Sequence, residues 1–323
     1  MSTAVAIREY KQTSVVPDPL LERFNDLFCH VNWGNMGPAL YSNGGAARFE
    51  RILQDVYTPY SGEKALIQNN LPEISDWAKD ISTVIIIGPG PARSIRAKER
   101  QILQSLPNLR QVVISELSKE FNRQSSAEIK KLFPNISVTS LQQDFRTINL
   151  GNVDYDSALV ISTGGFTNFE RMTADHFPHS QVSEHLATIK RLARHGGKFL
   201  WGYDSSIDVS RYNCPEVSEF LLYPLEKASK MDGVTLDPKG FEHVTLANQA
   251  ASVLSHDWVV TRDQNVFIGD QSYAFSVGEK FVAFSSAKPD PVKIIRAASL
   301  QGIVSQKIYR DDTGSVIHTL NCM

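Results

Sequence analysis

The sequence lacks the features that mark several broad classes of protein. Its 323 residues contain three cysteines, Cys29, Cys214 and Cys322, whose odd number and wide spacing argue against a disulfide framework and predict a reducing compartment. The N-terminal segment has no apolar core of the signal-peptide type, and no apolar run approaches the roughly 20 residues of a membrane span. These absences favour a cytoplasmic protein.

An excess of charge of one sign is also lacking. The formal net charge is -2 and no run of Lys or Arg exceeds two residues, so nothing predicts binding to nucleic acid or to an anionic membrane. No Gly-x-Ser-x-Gly elbow supplies a hydrolase nucleophile. His176 and His179 predict no metal site, because Pro178 breaks the helical spacing of ligands and no cysteine is near. We expect a small-molecule partner and no metal; the oligomeric state stays open.

What the chain does contain is an alternation of strands and helices. Continuous apolar or β-branched runs predict buried strands, with helices between them. The predicted strands are 82–87, 111–115, 136–141, 156–162 and 198–203. This alternation predicts a parallel sheet with helices on both faces.

The segments outside this alternation are predicted as follows. Residues 19–28 and 44–56 form helices, the first within a polar N-terminal arm of about 35 residues. Residues 205–255 are mainly helical, residues 256–286 form a β-meander, and a helix spans residues 291–300. The C-terminal tail is an antiparallel hairpin turning at Asp311-Asp312-Thr313-Gly314.

Three candidate anchors for a nucleoside follow the first three strands. The loop Gly88-Pro89-Gly90 lets the backbone turn sharply and approach a ligand, but Arg93 replaces the third glycine of a dinucleotide fingerprint. Glu116 follows the second strand, where a carboxylate accepts hydrogen bonds from a ribose diol. Asp144 and Phe145 follow the third and suit the adenine amino group and ring nitrogen. A nucleoside without a pyrophosphate, such as S-adenosylmethionine (SAM), fits these anchors best.

The order of elements is that of the Rossmann-like α/β fold of class I SAM-dependent methyltransferases. In that fold, five strands alternating with helices and the two strands of a terminal antiparallel hairpin make one seven-stranded sheet, with a late helix before the hairpin. On this plan residues 1–204 and 287–323 form the SAM-binding domain with an N-terminal helical arm, and residues 205–286 form an inserted α+β substrate-binding domain.

Many short motifs in one order carry a more specific resemblance. From about Tyr41 to the C-terminus, the chain resembles the ergothioneine-pathway histidine Nα-methyltransferase family, which also includes fungal dimethylallyltryptophan N-methyltransferases. The matching motifs are Tyr41-Ser-Asn-Gly-Gly-Ala-Ala-Arg-Phe49, Tyr57-Thr-Pro-Tyr-Ser-Gly-Glu63, Gly88-x-Gly90, Glu116-Leu-Ser118, Asp144-Phe145, Thr167-Asn168-Phe169, Gly202-Tyr-Asp204, Arg211-Tyr212-Asn213, Phe241-Glu242-His243-Val244 and Gly278-Glu279.

The resemblance implies roles for individual residues. Asn168 and Tyr212 hold the α-amino and carboxylate groups of an amino-acid substrate and carry the catalytic roles. Tyr41 and Phe49 line the amino-acid pocket. Tyr57, or its neighbour Thr58, lies near the methionine end of the cofactor.

The chain departs from the family at the substrate side chain. Histidine enzymes grip the imidazole with a Glu-x-Ser motif, and the aligned residues here are Phe284-Ser285-Ser286. An apolar ring cannot pair with an imidazole N–H. The fourth strand also ends differently, in Thr163-Gly164-Gly165-Phe166-Thr167, which alters the shape of the pocket. We therefore expect N-methylation of the amino group of an amino acid or of a small molecule derived from one. Its side chain is expected to be apolar, aromatic or indole-like rather than the imidazole of histidine.

Two other functions stay open. One is an O-, C- or amide-N-methyltransferase of secondary metabolism, with the same fold and a different acceptor atom. The other is a non-catalytic scaffold with a methyltransferase-like fold, which the intact glycine loop and its carboxylates argue against.

Overall fold

The computed structural model describes residues 19–31, 36–42, 44–53, 57–151, 153–164, 168 and 177–323. The strands are β1 (Thr83–Ile87), β2 (Gln111–Ser115), β3 (Ser137–Leu141), β4 (Ala158–Thr163), β5 (Lys198–Asp204), β6 (Phe241–Asn248), β7 (Val253–Val260), β8 (Gln264–Ile268), β9 (Gln271–Phe275), β10 (Lys280–Ala287), β11 (Ile303–Arg310) and β12 (Ser315–Cys322). The α-helices are α1 (Pro19–Asp26), α2 (Gly37–Leu40), α3 (Gly45–Ile52), α4 (Thr58–Asn69), α5 (Leu71–Ala78), α6 (Ala92–Ala97), α7 (Glu99–Ser105), α8 (Lys119–Leu132), α9 (His179–Ala193), α10 (Pro215–Ala228) and α11 (Pro291–Leu300).

A seven-stranded sheet of order β11-β12-β5-β4-β1-β2-β3 forms the centre of the fold. Strands β1 to β5 pair in parallel, and β12 pairs antiparallel with both β5 and β11. The predicted fold class is confirmed, including the terminal hairpin. Because the five parallel strands run the same way, their carboxyl ends meet at one edge, where ligands bind in such sheets.

Both faces of the large sheet are buried under helices. Along β1, Ile85 and Ile87 pack into one core with residues of α9 and α11, while Val84 and Ile86 pack into a second core with α4, α5 and α7. This alternation explains why the strand has no polar face in its sequence.

A smaller sheet of order β10-β7-β6 and the hairpin β8–β9 follow α10 in the chain. The expectation that residues 205–255 are mainly helical is wrong for residues 241–248 and 253–255, which form β6 and the start of β7 and pair with each other. The expected meander is also wrong in its pairing: β7 pairs with β6 and β10, while β8 and β9 pair with each other. The domain boundaries at residues 204 and 287 stay a prediction.

The N-terminal helix belongs to the core of this second region. Leu20, Phe24 and Leu27 are buried against Trp258 of β7 and its neighbours, so the expectation of a polar arm is wrong for residues 19–28. Within the described segments, no helix has the length and apolar character needed to cross a membrane.

Candidate active site

The glycine loop leaves β1 in a conformation that only glycine adopts without strain. Gly88 and Gly90 have φ angles of 58° and 70°, in the left-handed region. The Gly88 N–H donates to the carbonyl of Ser115 at 2.8 Å, which fastens the loop to the end of β2. A Cβ placed on Gly88 would meet nothing within 4 Å. Backbone is therefore exposed to a ligand at the carboxyl end of β1.

Glu116 joins the glycine loop to the next strand. Its carboxylate accepts from the backbone N–H of Gly90 at 3.3 Å and of Ser118 at 2.8 Å. Burial raises the pKa of Glu116, and these backbone donors oppose the rise only in part. The structure thus brings the first two predicted anchors together, with a carboxylate fixed beside the open glycine.

Asp144 lies beyond the end of β3 and is bound by its neighbour Arg146. The backbone N–H and Nε of Arg146 donate to Asp144 Oδ1, each at 2.9 Å. Burial would raise the pKa of Asp144, but the Arg146 hydrogen bonds outweigh it and hold the pKa below the usual value. Phe145 packs edge-on against His185 with ring centres 5.0 Å apart. An adenine amino group at Asp144 would share its carboxylate with Arg146.

Tyr41 and Phe49 lie in an aromatic cluster between the cofactor edge and α10. Their rings are 5.2 Å apart, and both contact Phe121 of α8 and Phe220 of α10. Phe49 Cε1 lies 3.9 Å from where a Cβ on Gly90 would stand. Burial, and then the charge of Glu116, raise the pKa of Tyr41. The two rings therefore lie close to the glycine loop as well as to the apolar residues behind them.

Tyr212 lies in a buried cluster of charged groups at the end of β5. Its hydroxyl donates to Asp204 Oδ2 and accepts from Lys288 Nζ at 2.5 Å. Arg211 Nη1 is 2.5 Å from Asp204 Oδ1, and Arg211 Nε donates to Thr58 Oγ1 at 2.8 Å. Burial raises the pKa of Tyr212 well above its usual value.

Both residues considered for the methionine end of the cofactor lie at this cluster. Thr58 is held by Arg211, and the ring of Tyr57 meets that of Tyr212 edge-on at 6.0 Å. Burial, followed by the charge of Asp204, raises the pKa of Tyr57. Tyr57 therefore faces the predicted substrate residue Tyr212, and its role toward the cofactor stays a prediction.

Phe284 of β10 lies opposite His256 on the neighbouring strand β7. Their ring centres are 5.8 Å apart, and His256 in turn meets the Tyr212 ring at 5.5 Å. Phe284 is half-buried beside an apolar group that includes Leu40 and Phe220, to which Tyr41, Phe49 and Tyr57 also pack. Ser286 is buried further along β10.

Asn168 is half-buried, but its neighbours on both sides lie outside the described residues. The predicted residues or motif positions that lie outside them are Asn43, residues 54–56 of the predicted helix 44–56, Gly165, Phe166, Thr167, Phe169 and His176.

Sequence reasoning assigned no role to a second buried charged group, at the end of β4. Lys98 Nζ lies 2.8 Å from Glu63 Oε2, and Thr163 Oγ1 donates to Glu99 at 2.6 Å. Burial alone would lower the pKa of Lys98, but Glu63 and Glu99 raise it above the usual value. A Cβ on Gly202 would stand 2.2 Å from Glu63 Oε1, so the glycine makes room for this carboxylate.

Lys288 was also missed. Its one signal is a lysine closing a strand whose preceding residues, 281–287, are otherwise apolar or small. Its partners Asp204 and Tyr212 are 84 and 76 residues earlier in the chain, counting from Lys288, so only the fold brings the three together.

A family model described as histidine-specific methyltransferase, SAM-dependent, matches residues 37–321, which is most of the chain. A search of curated proteins gave no match.

Similar solved structures include several methyltransferases. A SAM-dependent methyltransferase from Clostridium acetobutylicum is 10% identical, with 81% of this chain and 91% of that chain covered and a TM-score of 0.43. A SAM-bound amino pentose methyltransferase from Micromonospora echinaspora, involved in calicheamicin biosynthesis, is 14% identical, with 81% and 92% covered and a TM-score of 0.44. Magnesium protoporphyrin IX methyltransferase from Synechocystis, with bound S-adenosylhomocysteine (SAH), is 11% identical, with 88% and 97% covered and a TM-score of 0.45. With scores this low, the assignment of the chain rests on the family match.

Proposed function

We propose, from the premise that this chain belongs to the family of histidine-specific, SAM-dependent methyltransferases, that its acceptor is the amino group of an aromatic amino acid or a compound derived from one. The chain is a SAM-dependent methyltransferase. The acceptor is the part that we infer, and the observation that carries the inference is the position of Phe284 against His256, whose ring in turn meets that of Tyr212.

The cofactor fits the carboxyl edge of β1, β2 and β3. Gly88 leaves open space for a ligand, Glu116 presents a fixed carboxylate to a ribose diol, and Asp144 with Phe145 suits the adenine. When bound, SAM supplies a methyl group already activated by the sulfonium. The protein must therefore provide alignment, which is worth about 7–11 kcal/mol in favourable cases.

The acceptor amine has to be neutral when it attacks, because its lone pair forms the new bond. On our proposal, hydrogen bonds from Asn168 and Tyr212 orient the amino-acid end of the substrate, and water takes the released proton. Tyr212 is buried and already fixed by Asp204 and Lys288, so it is pre-organised for this task.

The side-chain pocket supports an aromatic ring over histidine. Phe284, Tyr41, Phe49 and Tyr57 are half-buried rings around an apolar group, where burial of an aromatic side chain is favourable. An imidazole N–H facing Phe284 would lose its hydrogen bond, at a cost of about 1–3 kcal/mol. Ser286, two residues after Phe284 on β10, is a buried polar residue.

The substitution Phe284→Glu tests this proposal. We expect it to lower kcat/KM for aromatic amino acids and to raise kcat/KM for L-histidine, because a carboxylate then faces the ring N–H. The matched control is Phe267→Glu, an exposed phenylalanine of β8 in the same region. If wild type already prefers histidine, or if Phe284→Glu leaves the selectivity unchanged, Phe284 does not set the acceptor.

A further inference from the structure

Lys288 is a buried cation whose ammonium contacts Asp204 at the end of β5 and Tyr212 shortly after it. Its side chain is 4% exposed, and Nζ lies 2.5 Å from the Tyr212 hydroxyl and 3.3 Å from Asp204 Oδ2. The same ammonium lies 4.6 Å from the centre of the Tyr212 ring. Lys288 therefore fixes Tyr212 through both its hydroxyl and its ring.

The charges of this cluster do not balance. Asp204 is 8% exposed and Arg211 is 6% exposed, and they already form a close ion pair through Oδ1 and Nη1. Within the described part of the chain, Asp204 is the one carboxylate in ion-pair contact with either cation. A protonated Lys288 is then an excess positive charge in a site sheltered from water, which is costly unless a further anion comes close.

The pKa of Lys288 reflects this excess of positive charge. Burial lowers the pKa of Lys288, and the carboxylate of Asp204 opposes that change only in part. A second carboxylate nearby would stabilise the protonated form by Coulomb attraction, which is strong at low local dielectric. The groups that face Lys288 are Tyr212, Asp204 and Arg211, with His256 beside the tyrosine ring.

We propose that Lys288 is a positioning residue for the α-carboxylate of the substrate, acting through the Tyr212 hydroxyl. On this view the site accepts amino acids with a free carboxylate and discriminates against the decarboxylated amines. The inference rests on the proposed function, because it assumes an amino-acid substrate at Tyr212.

The hydroxyl of Tyr212 has a single proton, which it donates to Asp204 in this structure. A substrate carboxylate beside the phenol would accept that proton as a hydrogen bond, while Lys288 keeps its contacts to the Tyr212 oxygen and to Asp204. The ammonium then lies one hydroxyl group away from the carboxylate and balances its charge. A decarboxylated amine offers neither the acceptor nor the charge.

The test is equilibrium binding of L-tryptophan and of tryptamine to enzyme saturated with SAH, by isothermal titration calorimetry. We expect wild type to bind L-tryptophan about tenfold or more tightly than tryptamine, the size expected of a hydrogen bond to a charged group. Lys288→Met should weaken L-tryptophan binding by about the same factor and leave tryptamine binding nearly unchanged. A purely structural role would weaken both ligands together.

Two further variants complete the experiment. Lys280→Met removes an exposed lysine at the start of β10, the strand that Lys288 follows, and should leave the wild-type preference intact. Lys288→Arg keeps the charge and should retain part of the preference, which separates charge from packing. In Lys288→Met, Asp204 stays paired with Arg211, so the variant should fold.

The outcomes separate the two proposals. If wild type binds neither ligand, the aromatic amino-acid function fails and this inference falls with it. If wild type prefers L-tryptophan and Lys288→Met keeps that preference, the role of Lys288 is wrong while the proposed function stands. If wild type binds tryptamine as tightly as L-tryptophan, the requirement for a carboxylate is wrong.

Discussion

On our proposal, Glu116 is the residue on which the cofactor site most depends. Its two carboxylate oxygens accept hydrogen bonds from the backbone N–H groups of Gly90 and Ser118. One side chain therefore holds the glycine loop against the segment that follows β2. The same carboxylate is the acceptor that we assign to the ribose. Its position directly after a buried strand was readable from the sequence, because the carboxyl ends of parallel strands share an edge.

Replacing Glu116 by Ala should weaken SAM binding about 10- to 100-fold, because hydrogen bonds to a charged acceptor are lost. Isothermal titration with SAM measures the effect. Glu120→Ala is the control, since Glu120 is exposed in the first turn of α8 and bound to Arg123. Undiminished affinity in Glu116→Ala would remove this residue from the site.

The residues that sequence reasoning missed are charged groups in long-range contact. Local patterns identified Gly88 and Glu116, each directly after an apolar strand, and Asp144, three residues after the end of β3. No comparable sequence pattern surrounds Lys98, Glu99 or Lys288. Their partners are set by how α4, β4 and β5 meet in the fold, which no local spacing encodes.

At the scale of elements, a buried ion pair joins α4 to the start of α7. Lys98→Met would leave Glu63 and Glu99 as buried carboxylates without a cation, at a cost of about 3–5 kcal/mol in the free energy of unfolding. Denaturant unfolding measures this. Adding Glu63→Gln to the variant should recover part of the loss.

The matched control for that pair is Lys79→Met, which breaks the exposed ion pair with Asp76. Such exposed pairs contribute about 1 kcal/mol or less. If Lys98→Met is no more destabilising than Lys79→Met, the buried pair does not stabilise this junction.

Strand β12 has a buried histidine that should make folding pH-dependent. His318 is fully buried, with Nε2 2.8 Å from Ser305 Oγ, and burial lowers the pKa of His318 to about 4. The unfolded chain protonates this ring near its ordinary pKa of about 6.5. The unfolded state therefore binds more protons between these values, and its stabilisation reaches about 3 kcal/mol by pH 4.

His318→Gln removes this proton uptake. The free energy of unfolding of wild type should thus fall more steeply than that of the variant as pH decreases from about 6.5 to about 4, and the curves should run parallel above that window. Urea titrations at a series of pH values give both curves. A constant difference between them across the window would mean that His318 does not titrate on unfolding.

Elements with a strong periodic pattern agree best between sequence and structure. Strand β2 and helix α11 have the predicted bounds. The β-branched run of β2, and the amphipathic pattern of α11 with Asp290 as its cap, are signals within the segment itself. Strand β6 was missed because Phe241–Asn248 exposes much of its surface, so its apolar pattern is weak and its pairing with β7 decides its conformation.

At the scale of the whole molecule, the N-terminal helix and the smaller sheet share one core. Phe24 is fully buried, and its ring stacks on Trp258 with centres 5.6 Å apart. An amphipathic helix of eight residues has little stability of its own and takes its conformation from this contact. A segment that looks polar in the sequence is thus part of the core that contains the smaller sheet.

Phe24→Ala should lower the free energy of unfolding by about 3–5 kcal/mol, the range for a buried phenylalanine. Glu22→Ala, on the exposed side of the same helix, should change it by about 0.5 kcal/mol or less. Thermal or denaturant unfolding of both variants measures these changes in the free energy of unfolding. Equal stabilities for both would show that α1 is not part of the folded core in solution.

On our proposal, the protein transfers a methyl group from SAM to the amino nitrogen of an aromatic amino acid. Mass spectrometry of products from a panel of amino acids and indole derivatives tests it most directly, with fragmentation locating each added methyl group. We predict that an aromatic or indole-bearing amino acid gains methyl groups on its amino nitrogen, and that histidine is a poorer acceptor. Methylation of oxygen or carbon, a preference for histidine, or no methylated product at all would contradict this account.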